Sequence, residues 1–183
     1  MHNRRIDNSR LEEKVRMRAE KVKDGNRILD CYHGNGIIWG QISAKKKIEV
    51  IGIEREKGKG SIALYGECEK IIPRLDLSGF NIIDCDSWGI PFIALQKIFQ
   101  NTTLTKDTVI FYTFTQTSLS RCPNDLIACV GISKDMIKKC PTLFSGIYFE
   151  AFKEFLRRNG IKEIYDSYSD GPSRKHYGWF IYA

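Results

Sequence analysis

The chain has 183 residues, a net charge of +7 and the apolar content of an ordinary folded domain. No apolar run approaches the ~20 residues that cross a bilayer, and the charged start MHNRRIDNSRLEEKVRMRAEK lacks the apolar core of a secretory signal. One domain with no membrane contact and a cytoplasmic location is expected, and a disulfide scaffold or zinc ribbon is disfavoured: Cys31, Cys68, Cys85, Cys122, Cys129 and Cys140 form no CxxC pair and have no histidine at ligand spacing. They are expected to be reduced core thiols, with no metal site.

Charge is unevenly spread. Residues 1–60 carry 15 Lys/Arg against 9 Asp/Glu, residues 61–118 carry 4 against 6, and residues 119–183 carry 10 against 7. Basic ends around an acidic middle suit a protein that meets a polyanion with its surface and keeps carboxylates in a central site. A merely basic, well-solvated surface is the plainer alternative.

The first element is a helix over residues 8–23, capped by Asn8 or Ser9, with Leu11, Val15, Ala19 and Val22 on one face. Its other faces carry Arg10, Lys14, Arg16, Arg18, Lys21 and Lys23, a candidate phosphate-contacting surface. Residues 1–24 are treated as a basic N-terminal helix, and residues 25–183 as the main domain. There, RILDCY (27–32) is a strand ending at HGNG, and IIWGQISA (37–44) is a helix. KIEVIGIE (47–54), IALYG (62–66), FNIIDCD (80–86) and TVIFYTFT (108–115) are further strands. A short helix follows the third strand, and PFIALQKIFQ (91–100) forms a helix with Pro91 in its first turn. Residues 116–143 read as irregular. FSGIYFEAFKEFLRRNG (144–160) is an amphipathic helix stopped by Gly160. IKEIYDSY (161–168) and HYGWFIYA (176–183) flank a DGPS turn too short for a parallel crossover. Strands alternating with helices predict an α/β fold: a doubly wound, mostly parallel seven-stranded Rossmann-like sheet with an antiparallel C-terminal strand.

Ligands of such sheets bind at the carboxyl ends of the strands, so the acids and glycines there are the candidates. The first strand ends in Asp30-Cys-Tyr-His33-Gly34-Asn-Gly36, where two glycines permit a tight turn and a close ligand approach. The second ends in Glu54, an acid placed to accept hydrogen bonds from ribose hydroxyls. Gly66-Glu67 follows the third strand. Trp39 stands where a dinucleotide fingerprint wants its third small residue, which disfavours a nicotinamide cofactor. The pattern D-x-x-x-G-x-G resembles the first motif of S-adenosylmethionine-dependent methyltransferases. That resemblance implies S-adenosyl-L-methionine as cofactor, with Asp30, His33, Gly34, Gly36, Glu54, Glu67 and Asp84 in the cofactor-binding set. Asp30 would anchor the amino group, Glu54 the ribose and Glu67 the adenine. His33 enters as a residue of the glycine loop, with no paired acid or nucleophile in the sequence to make it a base. Plainer readings remain for two of these acids: Glu67 as a helix N-terminal acid and Asp30 as a structural cap.

The fourth strand ends in IIDCDSWGIP, residues 82–91. Asp84-Cys-Asp86-Ser-Trp88-Gly89-Ile-Pro91 resembles the D-x-D-P-F-G-x-P segment of tRNA guanine-N2 dimethyltransferases. An aromatic amine is a poor nucleophile, and a carboxylate that accepts its N–H bonds localises the lone pair. By position Asp86 is the acid that faces the amine, Trp88 is the ring that stacks the base, and both are the catalytic candidates. Ser87 stands where that family has proline. Those enzymes also carry an appended RNA-binding domain, so a chain ending at Ala183 is expected to hold nucleic acid by its N-terminal helix and by residues 116–143, with Arg121, Lys134, Lys138 and Lys139. The plainer reading of Asp84 and Asp86 is a pair of acids that cap the helix after Pro91. The expected function is methylation of an exocyclic amino group of a base in RNA, favoured over DNA, with a protein partner or homo-oligomer also expected. The alternatives are a methyltransferase for a small molecule or protein, and a non-catalytic binding module.

Overall fold

The computed structural model describes residues 10–57, 63–116, 122–144, 146–168 and 175–183. The helix caps expected at Asn8 and Ser9, the DGPS turn and Arg121 lie outside them. The strands are β1 (Arg27–Asp30), β2 (Glu49–Glu54), β3 (Ala63–Tyr65), β4 (Ile82–Cys85), β5 (Val109–Thr115), β6 (Tyr165–Tyr168) and β7 (Lys175–Ile181). The helices are α1 (Leu11–Lys21), α2 (Ile37–Ser43), α3 (Cys68–Ile71, continued by a 3-10 turn at Ile72–Arg74), α4 (Phe92–Gln100), α5 (Asn124–Ala128), α6 (Lys134–Lys139) and α7 (Ile147–Arg158). No helix among the described residues is long and apolar enough to cross a membrane.

The strands form one seven-stranded sheet in the order β3-β2-β1-β4-β5-β7-β6. β7 runs antiparallel to both of its neighbours, and the other pairings among β1 to β5 are parallel. The fold is the predicted one. Its central strands are short apolar runs because both faces are covered. Alternate side chains feed separate cores, since successive residues of a strand point to opposite faces. Ile28, Ile82 and Phe111 pack with Val22, Trp39 and Ile42 under α1 and α2. Leu29, Ile83 and Ile110 pack with Leu95, Ile98, Phe152 and Leu156 under α4 and α7.

The structure departs from the sequence reading in three places. Residues 116–143 are not irregular throughout, since α5 and α6 fall within them; α6 is capped by the Ser133 side chain, which accepts from the Met136 amide. The cysteines split. Cys31, Cys68, Cys85 and Cys122 are buried, whereas Cys129 is half-buried and Cys140 exposed, although all six are free thiols. The face of α1 is also different. Arg18 is fully buried rather than displayed to solvent, so the helix does not offer its cations as one outward surface.

Candidate functional site at the strand ends

The parity that sends Ile28 and Ile82 toward α1 sends Asp30 and Asp84 the same way, and the two acids are paired directly across β1 and β4. Two carboxylates side by side at the end of a buried sheet must each find partners. They find different ones.

Asp30 turns to its own loop. Its Oδ2 lies 3.1 Å from His33 Nδ1, and its Oδ1 accepts from the Tyr32 amide at 3.3 Å. Burial pushes the Asp30 pKa up to about 6, against the lowering effect of His33. The His33 pKa is raised in turn, mainly by the hydrogen bond to Asp30. The His33 ring lies in a space that two glycines leave open. A Cβ on Gly52 of β2 would collide with it, as would one on Gly36, whose φ is 67°. Gly34 also has positive φ, at 55°, and its amide donates to Glu54 Oε2 at 2.8 Å. The other Glu54 oxygen accepts from the Glu56 amide at 2.9 Å. Glu54 therefore ties the glycine loop to the end of β2, and each of its oxygens keeps a lone pair for a further donor. The structure brings together Asp30, His33, Gly34, Gly36 and Glu54. Glu67, after β3, is exposed and pairs with Lys70 at 2.7 Å, which lowers its pKa. Its side chain makes no cap of α3.

Asp84 has a different environment. Arg18 of α1 grips it from both nitrogens, Nε to Oδ2 at 2.6 Å and Nη2 to Oδ1 at 2.7 Å, and the Trp39 indole adds a bond to Oδ2 at 2.9 Å. Arg18 is 0% exposed and Asp84 1%. Burial would lower the Arg18 pKa, but Asp84 outweighs it and raises the value. Both oxygens of Asp84 are engaged inside the protein, which marks it as the anchor of α1 and the reason for a tryptophan at position 39. Two positions further on, Asp86 sits at the rim. Lys14 Nζ donates to both of its oxygens at 2.8 Å, and Arg18 Nη2 is 3.9 Å away. Burial would raise the Asp86 pKa, but Arg18 and then Lys14 outweigh it and hold the carboxyl below the usual range.

The helix-capping alternative for these acids does not hold. Pro91 is the N-cap of α4, and no side chain caps it. The true partners, Lys14 and Arg18, lie 72 and 66 residues away in sequence. One signal could have found them: positions 11, 14, 15, 18 and 22 share the helical stripe that faces the core.

Ser87, the departure from the family proline, is held by two bonds of its own. Its amide donates to Cys85 O at 2.8 Å and its hydroxyl to Thr113 O at 3.2 Å. A proline could not make the first. The Gly89 carbonyl accepts from the Thr115 amide at 2.7 Å, which pins the far end of the segment to β5. Between these two fixed points Trp88 is 83% exposed. A surface cavity of about 420 Å³ lined by Arg74, Lys97 and Asn101 contains none of these residues. No group of three or more potential metal ligands occurs among the described residues.

No family model matches the chain, and no curated protein matches it in sequence. Solved structures do. An S-adenosylmethionine-dependent methyltransferase from Archaeoglobus fulgidus superposes with a TM-score of 0.59 at 13% identity, over 94% of this chain and 94% of that one. P. horikoshii TYW2, in complex with MeSAdo, gives 0.57 at 16% identity, over 93% and 62%. A Clostridium thermocellum protein named as a candidate rRNA-methylase gives 0.56 at 12% identity, over 93% and 94%. The chain spans 62% and 66% of two of the longer chains it matches. At these identities the likeness is one of architecture: the chain has the Rossmann-like α/β fold of the S-adenosylmethionine-dependent methyltransferases.

Proposed function

We propose that the protein is an S-adenosylmethionine-dependent methyltransferase whose acceptor is an exocyclic amino group of a nucleic-acid base, in RNA rather than DNA. The observation that carries the reading is the convergence of Asp30, Gly34, Gly36 and Glu54 on the ends of β1 and β2, with Asp86 and Trp88 at the end of the adjoining β4. In this reading Asp30 accepts from the cofactor ammonium, the backbone around Gly34 and Gly36 meets its methionine portion, and Glu54 accepts from the ribose. Its sulfonium supplies the methyl group. Asp86 accepts the N–H bonds of the acceptor amine, and Trp88 stacks the base. Support for RNA comes from the likeness of residues 84–91 to the guanine-N2 dimethyltransferase segment, from the excess of basic residues, and from the candidate rRNA-methylase among the structures of the same fold. Where that family has proline, the two bonds of Ser87 fix the backbone another way.

Incubation with labelled cofactor and separate pools of tRNA, rRNA, DNA and protein tests the reading. Label in an RNA pool, lost in Asp86→Ala while the cofactor still binds, is the expected result. Label confined to protein, or equal activity in Asp86→Ala, would contradict it.

A further inference from the structure

Asp84 and Asp86 are held by two cations of one helix, yet the two pairs differ in what a ligand could do to them. Arg18–Asp84 is sealed, with side chains 0% and 1% exposed and a third bond from Trp39. Lys14–Asp86 is at the rim, with side chains 13% and 14% exposed. Lys14 Nζ is equidistant from both carboxylate oxygens, 2.8 Å from each, and stands 5.1 Å over the Tyr177 ring. That is a nitrogen with N–H bonds aimed at a carboxylate two residues before the exposed Trp88, which is the arrangement an acceptor amine would adopt there.

We propose that the Lys14 ammonium occupies the seat of the acceptor amine, so that Lys14 is a specificity-determining residue: an acceptor reaches Asp86 only by displacing it. The inference rests on the cofactor and acceptor reading given above. Arg18, Asp84 and Trp39 keep α1 docked throughout, so displacement involves only the Lys14 side chain and the turn that carries it. An acceptor on a polyanion has an advantage over a free small amine, because its phosphates offer the displaced ammonium a new partner. The same exchange keeps the carboxylate paired in the absence of substrate, as a partly buried charge requires.

The test needs no acceptor. Sinefungin is the S-adenosylmethionine analogue in which an amine-bearing carbon replaces the methyl-bearing sulfonium, so its ammonium projects where the methyl group points. S-adenosylhomocysteine lacks that group. Titration calorimetry of both ligands on wild-type protein, Lys14→Met, Lys14→Arg and Arg16→Met gives the ratio of their dissociation constants. Lys14→Met is expected to tighten sinefungin relative to S-adenosylhomocysteine by about tenfold, because Asp86 loses the ammonium hydrogen-bonded to both of its oxygens while Arg18 stays 3.9 Å away. Lys14→Arg keeps the pair and the wild-type ratio. Arg16→Met removes an equal charge from the exposed face of the same helix, and is expected to leave the ratio within about twofold. An unchanged ratio in Lys14→Met, with S-adenosylhomocysteine still binding, overturns the role of Lys14 alone. Failure of the wild type to bind either ligand overturns the cofactor reading together with it. Should Lys14→Met not fold, the Lys14 ammonium resonance of 15N-lysine-labelled wild type gives the same answer. A shift with sinefungin and none with S-adenosylhomocysteine is expected, and no shift with either overturns the proposal.

Discussion

Asp30 is the residue on which the cofactor reading can be tested by pH. Its carboxyl is held protonated up to about 6 by burial, and only the ionised form attracts an ammonium. Affinity for S-adenosylhomocysteine should therefore rise between pH 5 and pH 7, with release of a proton, and Asp30→Asn should both weaken binding and flatten that dependence. The sign for the unliganded protein is the reverse. A carboxyl raised from 3.8 to about 6 makes the folded state bind more protons than the unfolded one, so stability falls as pH rises through that interval. His33 adds the same sign, because a raised histidine stabilises when protonated and loses that contribution as pH rises through its folded value. Thermal melting should show the free wild type losing more stability from pH 5 to pH 7 than Asp30→Asn does, and the liganded protein losing less. The same pH dependence in wild type and Asp30→Asn would contradict the assignment. At Ser87 the expectation is simpler: Ser87→Ala removes one buried hydrogen bond, to Thr113 O, and should cost about 1 kcal/mol in urea denaturation.

At the scale of elements, α1 is the piece whose role changed most between sequence and structure. Its sequence predicts an amphipathic helix with a basic outer surface. The structure turns two of those cations inward, because Lys14 and Arg18 lie on the same stripe as Leu11, Val15 and Val22 and meet carboxylates that strand parity directs toward them. Helical spacing alone could place the two cations on the stripe. It could not name their partners, which come from a strand more than 60 residues downstream. Breaking the sealed pair leaves an uncompensated buried charge, so Arg18→Met should destabilise by roughly 3–5 kcal/mol. The same variant should lower hydrogen-exchange protection in α1 first. Unchanged stability would mean that the helix is not anchored through Asp84. Residues 116–143 were hard to read for a physical reason: their two helices are only 5 and 6 residues long, too short for a period of 3.6 to show.

For the whole molecule, the fold was legible because each local signal agreed with the others. Apolar runs of strand length, glycines at their ends, amphipathic helices between them and a final hairpin allow few topologies, and the observed sheet is the mostly parallel one with an antiparallel C-terminal strand. The glycine loop and Glu54 were legible for the same reason, since a doubly wound sheet exposes its strand ends at one edge. What the sequence could not provide is the state of the carboxylates there: Asp30 raised by burial, Asp84 sealed by Arg18, Asp86 paired with Lys14. Those depend on distances across the fold. The charge bookkeeping shifts accordingly. With Lys14 and Arg18 engaged internally, the exposed cations on α1 and its flanks are Arg10, Arg16 and Lys23, and Arg10 pairs with Glu13. A nucleic-acid acceptor, as proposed, should therefore draw on other surfaces as well, and its dissociation constant should rise steeply between 50 and 200 mM salt. A salt-independent affinity would point to an acceptor without phosphates.

The most direct test of the account is calorimetric titration of S-adenosylhomocysteine into the wild-type protein and Glu54→Ala. The account expects one site per chain in the wild type, and affinity in Glu54→Ala reduced by on the order of 10–100-fold through loss of the ribose contacts. Equal affinity in the two proteins, or no binding to the wild type alongside binding of a nicotinamide dinucleotide, would contradict it.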